Sequence, residues 1–224
     1  PEPKPLSPSP NDWIVTGEEV HKNETIILTG NLIVQSGGNL TLVNCTLLVN
    51  CSYDGEWQIR VKCGGVLNVL KGSNITAYGP EYEFLFYVYG SLTIRDSFLS
   101  KCGYGWGYSG LRLETDEGVM IEATTITKCY TGVYCFRSSG INIVDCTISN
   151  NYYGIYCYES SNINITCCTI SNNQSNGIEC FRSSGVSIRG CTINNNQGDG
   201  IYCDESSNIS IVGCTINNNQ GDGI

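Results

Sequence analysis

Apolar and polar residues alternate along this chain in short runs, and apolar residues never recur at the three-to-four spacing of an amphipathic helix. The block GIYCYESSNINITCCTISNNQSN, from Gly154, shows the pattern most clearly. Its runs G-I-Y-C, I-N-I and C-T-I each have period two. They place Ile155, Cys157, Ile163, Ile165, Cys168 and Ile170 on one side and Tyr156, Asn164 and Thr169 on the other. Ser and Asn fill the links between runs. The same block opens at Gly132, Gly154, Gly177, Gly200 and again at Gly223. A unit repeated this strictly does not bury its apolar face alone, and stacked copies do. Three strands and three turns per repeat predict one rung of a parallel β-helix.

Upstream the repeat is degenerate. NLIVQSGGNLTLVNCTLLVN, QIRVKCGGVLNVLKGSNITA, EFLFYVYGSLTIRDSFLSKC and GLRLETDEGVMIEATTITKCYT each read as one coil. The expectation is an all-β, single-stranded parallel β-helix of about eight coils, each of about 20–27 residues, irregular over 31–131 and regular over 132–224. With ~4.8 Å between rungs, its body is roughly 40 Å long. Residues 11–30 break the coil period and are assigned as an N-terminal cap, because a first coil otherwise exposes a core cross-section. PEPKPLSPSP, residues 1–10, is an extended arm or linker. Ile224 falls one strand into a further coil, which predicts that the coil continues or that a neighbour covers it.

The blocks resemble the repeats of right-handed parallel β-helix proteins of the carbohydrate-binding and sugar-hydrolase type, the pectate-lyase-like superfamily. NNNQGDGIYC is similar to the turn-to-strand signature of those repeats, and DWIVTGEEVHKNETIILTGNLIVQSGG resembles the opening of archaeal-type β-helix surface proteins. The resemblance implies a right-handed helix. It leaves function open, because the fold carries enzymes, adhesins and structural proteins alike.

Composition narrows the function classes. A net charge of −9, with Lys and Arg scattered, argues against a nucleic-acid partner. No run of ~18 apolar residues is present, so no membrane-spanning helix is expected. Fourteen cysteines accompany a single His and a single Met, without CxxC pairs, so no metal or cofactor is predicted. Abundant cysteine together with N-x-S/T triplets predicts an extracellular or cell-surface address. Asn23, Asn39, Asn74 and Asn173 are the glycosylation candidates.

Stacking turns repeat positions into columns. Cys135, Cys157, Cys180 and Cys203 form one cysteine column and Cys146, Cys168, Cys191 and Cys214 another, both read as lumen packing. Asn150, Asn172, Asn195 and Asn218, each followed by a second Asn, read as a hydrogen-bonded turn ladder. Arg137, Glu159, Arg182 and Glu205 alternate in sign and read as a register device. Cys102 and Cys129 align at one turn position of successive coils and are the disulfide candidate. The candidate acid group for hydrolysis or calcium is Glu114, Asp116, Glu117 and Glu122, beside Arg112, and a solvated loop face is the competing expectation.

The repeat is interrupted most visibly at GYGWGYSG. Tyr104, Trp106, Tyr108, Tyr130, Tyr152 and Tyr153 gather around that insert and are the candidate contact residues, because flat rings on a solvent face stack on sugar rings or on another protein. The sequence therefore predicts a non-catalytic extracellular structural or adhesive protein, a self-assembling surface subunit among the options. Its expected partners are copies of itself, other surface proteins or glycans. The alternative is a carbohydrate-active or glycan-binding module.

Overall fold

The computed structural model describes residues 12–224; the proline-rich stretch 1–10 and Asn11 lie outside the described residues. Three parallel nine-stranded sheets wrap around one lumen, so the described residues make nine rungs. The first sheet runs from Trp13–Val15 to Ile201–Asp204, the second from Glu18–Lys22 to Ser210–Val212, and the third from Thr25–Leu28 to Thr215–Asn217. Register holds from end to end: Leu32, Ile59, Phe86, Leu111, Val133, Ile155, Ile178 and Ile201 follow one another along the first sheet. Beyond the first rung the inward column of every sheet is apolar, and one continuous core fills the lumen.

The ninth rung comes from the segment expected to break the period. Residues 13–28 make a full rung, with Trp13 paired to Leu32, Glu19 to Leu40 and Thr25 to Thr46. Its second strand misled the sequence reading because its alternation is inverted. Glu19 and His21 take the positions that Leu40 and Leu42 fill one rung later. Over that end, the Trp13 indole N–H donates to Glu19 Oε2 at 3.0 Å, and the Trp13 ring meets the edge of His21 at 5.0 Å.

The turns explain the remaining repeat positions. Between the second and third sheets one residue adopts positive φ, among them Asn44, Asp96, Asp145 and Cys167. The residue after it points inward and hydrogen-bonds a nearby carbonyl: Ser97 Oγ to Arg95 O at 2.7 Å, Thr124 Oγ1 to Glu122 O at 2.8 Å, and Cys146 Sγ to Val144 O at 3.1 Å. The second cysteine column thus stands where Ser73, Ser97 and Thr124 stand in the third to fifth rungs and Cys45 in the second, which identifies it as turn packing. Between the first and second sheets, serines stack as a ladder, Ser138 N–H donating to Ser160 Oγ and Ser160 N–H to Ser183 Oγ, both at 3.1 Å. The block-opening glycine answers to close approach: a Cβ on Gly132 would sit 2.6 Å from the Gly154 carbonyl, and one on Gly177 2.7 Å from that of Gly200.

The charge column pairs by twos. Arg137 meets Glu159 at 2.8 Å and Arg182 meets Glu205 at 2.6 Å, so the column is two separate pairs rather than a continuous strip. The inner asparagines carry the turn ladder. Asn173 is wholly buried, its Oδ1 accepting from the Asn151 N–H at 3.0 Å and its Nδ2 donating to Asn196 Oδ1 at 2.9 Å. Burial therefore removes Asn173 from the glycosylation candidates. Asn23 is exposed, while Asn39 and Asn74 are half-buried.

Candidate aromatic cleft

One turn of the helix departs from repetition, the passage from the third sheet back to the first. In the fifth and sixth rungs it is a tight turn such as Asn150–Tyr152, and in the seventh and eighth it takes six residues, 172–177 and 195–200. In earlier rungs it swells into three loops, spanning 50–57, 78–84 and 101–110. These loops are tied to one another. The Glu83 N–H donates to Asp54 Oδ1 at 2.9 Å, and the Gly55 N–H donates to the Glu83 carbonyl at 2.7 Å. Lys101 Nζ donates to the Gly79 carbonyl at 2.9 Å. The third loop closes as a small antiparallel hairpin, Gly103–Gly105 against Tyr108–Ser109. Tyr104 of this hairpin lies so close to Gly55 that a side chain there would collide with its ring.

The six predicted aromatic residues fall into two ring groups, Tyr104 with Tyr108 on the hairpin and Trp106 with Tyr130, Tyr152 and Tyr153 beside it. Tyr104 stacks on Tyr108 with centroids 4.7 Å apart, and Tyr130 stacks on Tyr152 at 5.0 Å with rings 6° from parallel. Trp106, at the hairpin tip and 62% exposed, leans over Tyr153 at 6.1 Å and Tyr156 at 5.8 Å. Successive rungs impose the Tyr130–Tyr152 stacking, because a tyrosine repeated in one column places parallel rings about one strand spacing apart, whereas Tyr104 and Tyr108 meet within the hairpin.

Two hollows flank the hairpin. The larger, about 360 Å³, is lined by Tyr104, Tyr130 and Tyr152 with Glu83, Lys128, Asn150 and Gln174. The smaller, about 110 Å³, lies between Trp106, Tyr134, Tyr156 and Arg112. Arg112 covers the Phe136 ring at 4.2 Å and donates to Glu114 at 3.0 Å. Glu83 is the unusual group: burial, then the Asp54 charge, pushes its carboxyl up to about 7, with Lys101 acting in the opposite direction. Burial likewise raises Glu179, and pushes the Tyr134 phenol up to about 12, so that phenol remains a neutral donor. The cleft thus offers flat rings, phenols, amides and one carboxyl that titrates near neutrality.

Sequence reasoning missed Glu83, Lys128, Tyr134 and Tyr156 as members. Tyr134 and Tyr156 were legible only as outward strand positions, and Glu83 sits in an irregular loop that no column predicts. The acidic group of the fifth rung comes apart in space. Glu114 pairs with Arg112, Glu122 with Arg95 at 2.6 Å, Glu117 accepts from the Gly64 N–H at 2.8 Å, and Asp116 accepts from Ser139 Oγ at 2.7 Å. Among the described residues no cluster of three His, Cys, Asp or Glu side chains is arranged to hold a metal ion, and no helix is long and apolar enough to cross a membrane.

Comparison with known proteins agrees with this architecture. The family model described as right-handed beta helix region matches residues 84–224. The chain belongs to the right-handed β-helix family. No curated protein matches this β-helix. Among solved structures, a mutant of the periplasmic alginate epimerase AlgG superposes with a TM-score of 0.67 at 13% identity, over 89% of this chain and 53% of that one. A second AlgG structure gives 0.58 at 15% identity, over 85% and 56%. The Dettilon tailspike protein gives 0.51 at 11% identity, over 91% and 54%. The β-helix spans about half the length of each of these structures, and identities this low establish shared fold alone.

Proposed function

We propose that this protein is an extracellular, non-catalytic adhesive β-helix that binds glycans in the cleft between the 101–110 hairpin and the tyrosines of the following rungs. The observation that carries this reading is the stacking of Tyr130 on Tyr152 which, with Tyr104, lines a hollow bordered by Glu83, Lys128, Asn150 and Gln174. Sugar rings present apolar C–H faces and hydroxyl edges, and this lining offers ring faces with polar groups at their borders. The buried scaffold holds the rings in place, so little freedom is lost when a ligand docks. Solved neighbours include an alginate epimerase and a phage tailspike, which is consistent with a glycan-directed role for the fold.

The runner-up is a carbohydrate-active enzyme, and the one observation favouring it is Glu83, a carboxyl whose titration near 7 suits general acid–base work. A single experiment separates the readings. The protein is applied to an array of neutral and uronic-acid oligosaccharides, and incubated with alginate and pectin while release of shorter or unsaturated products is followed. Binding without product supports the adhesive module. Product formation that is lost in Glu83→Gln selects the enzyme, and absence of any glycan binding overturns both.

A further inference from the structure

Beneath the cleft, the inward turn column changes character. In later rungs it is Asn151, Asn173 and Asn196, each joined to the next. In the two rungs before, the same position is held by Cys102 and Cys129. Both are buried, and their Sγ atoms lie 3.3 Å apart. Cys129 continues the ladder on one side only, its N–H donating to Asn151 Oδ1 at 2.9 Å. We propose that Cys102 and Cys129 are a disulfide site, a covalent link that replaces the asparagine ladder where the long loops begin.

Three observations support the pairing. Adjacent rungs hold the two residues in one column, so closing the bond requires the sulfurs to approach and leaves strand register intact. The competing contact is weak, Cys129 Sγ to the Thr127 carbonyl at 3.5 Å. Three thiols of the second cysteine column lie closer to a carbonyl, Cys146 at 3.1 Å, Cys168 at 3.3 Å and Cys191 at 3.4 Å, and only Cys214 is as distant, at 3.6 Å. The oxidant is a low-molecular-weight disulfide. One thiolate attacks it, giving a mixed disulfide and one released thiol; the second thiolate displaces the other half. Two cysteine thiols lose two protons and two electrons, and the oxidant leaves as two thiols. Because burial holds the Cys102 thiol well above its ordinary range, exchange takes place while the rungs are open. The bond joins the residue before Gly103 to the residue before Tyr130, fixing the base of the hairpin to the opposite side of the hollow. The disulfide stands independently of the glycan reading.

The test is peptide mapping of the full chain after refolding in oxidised and reduced glutathione, followed by alkylation and non-reducing tryptic digestion. The expected product joins Cys102–Arg112 to Cys129–Arg137, two hydrogens lighter than the separate thiol peptides. Cys135 shares the second peptide, so the map is repeated on Cys135→Ser, where the link is expected to persist. Quantitative alkylation of Cys102 and Cys129, a link from Cys102 to any other cysteine, or loss of the link in Cys135→Ser overturns the proposal.

Discussion

Replacing Asn173 by Ala strikes the part of the fold that repetition builds most carefully. Its side chain is wholly buried and makes contacts on both sides. Oδ1 accepts from the Asn151 N–H at 3.0 Å and from Asn151 Nδ2 at 3.2 Å, while Nδ2 donates to the Ile148 carbonyl at 3.4 Å and to Asn196 Oδ1 at 2.9 Å. Alanine leaves the Asn151 N–H without its acceptor inside the helix, which costs ~1–3 kcal/mol. Asn196 Oδ1 keeps the Asn173 N–H at 3.1 Å, and Asn151 Nδ2 keeps the Ile126 carbonyl at 3.3 Å, so those losses are partial. Loss of packing around the deleted amide adds to the cost, for a total of ~2–4 kcal/mol. The control is Asn219→Ala in the last rung, where the side chain is only half-buried and water replaces the lost partners. Urea unfolding followed by circular dichroism gives both values. Equal, small destabilisation of the two variants would refute the argument, because it would mean that the buried ladder carries no more than a surface asparagine.

Further outcomes follow from single positions. Gly177→Ala places a methyl 2.7 Å from both the Gly200 carbonyl and the Ile193 side chain, and is expected to destabilise by ~1–3 kcal/mol in the same unfolding assay. Glu83 has a carboxyl raised from 4.5 to about 7, so its contribution to stability is fully present below pH 4.5 and is lost as pH rises through about 7. Glu83→Gln is therefore expected to lose less stability than the parent across that window, and parallel pH profiles would contradict the assignment. Exposed Arg182 and Glu205 pair across rungs in full solvent contact; replacing Glu205 by Gln is expected to leave the unfolding midpoint within error at physiological salt.

Much of the fold was readable because stacking converts sequence period into spatial columns. Ile155, Cys157, Ile163 and Ile165 announce their inward direction by alternation alone, and all are fully buried. The first rung was not readable for the same reason. Glu19 and His21 occupy inward positions at a lumen end, where polarity is tolerated, so the alternation that marks every other rung is reversed. Asn173 lay in a glycosylation triplet, and nothing in the triplet distinguishes a turn ladder from a surface loop. The cleft was half legible. Its aromatic residues stand out because Gly and Tyr interrupt the repeat at 103–109. Glu83 enters through backbone bonds to Asp54 and Gly55, contacts between loops that periodicity does not encode.

The reading rests on the tyrosine pair at the cleft, and calorimetric titration of the glycan with the strongest array signal addresses it most directly. Wild-type protein is compared with Tyr130→Ala combined with Tyr152→Ala, whose rings stack at 5.0 Å on the cleft wall. The account predicts that affinity falls at least tenfold, about 1.4 kcal/mol or more, while the unfolding midpoint shifts only modestly. An affinity unchanged by the loss of both rings would contradict it.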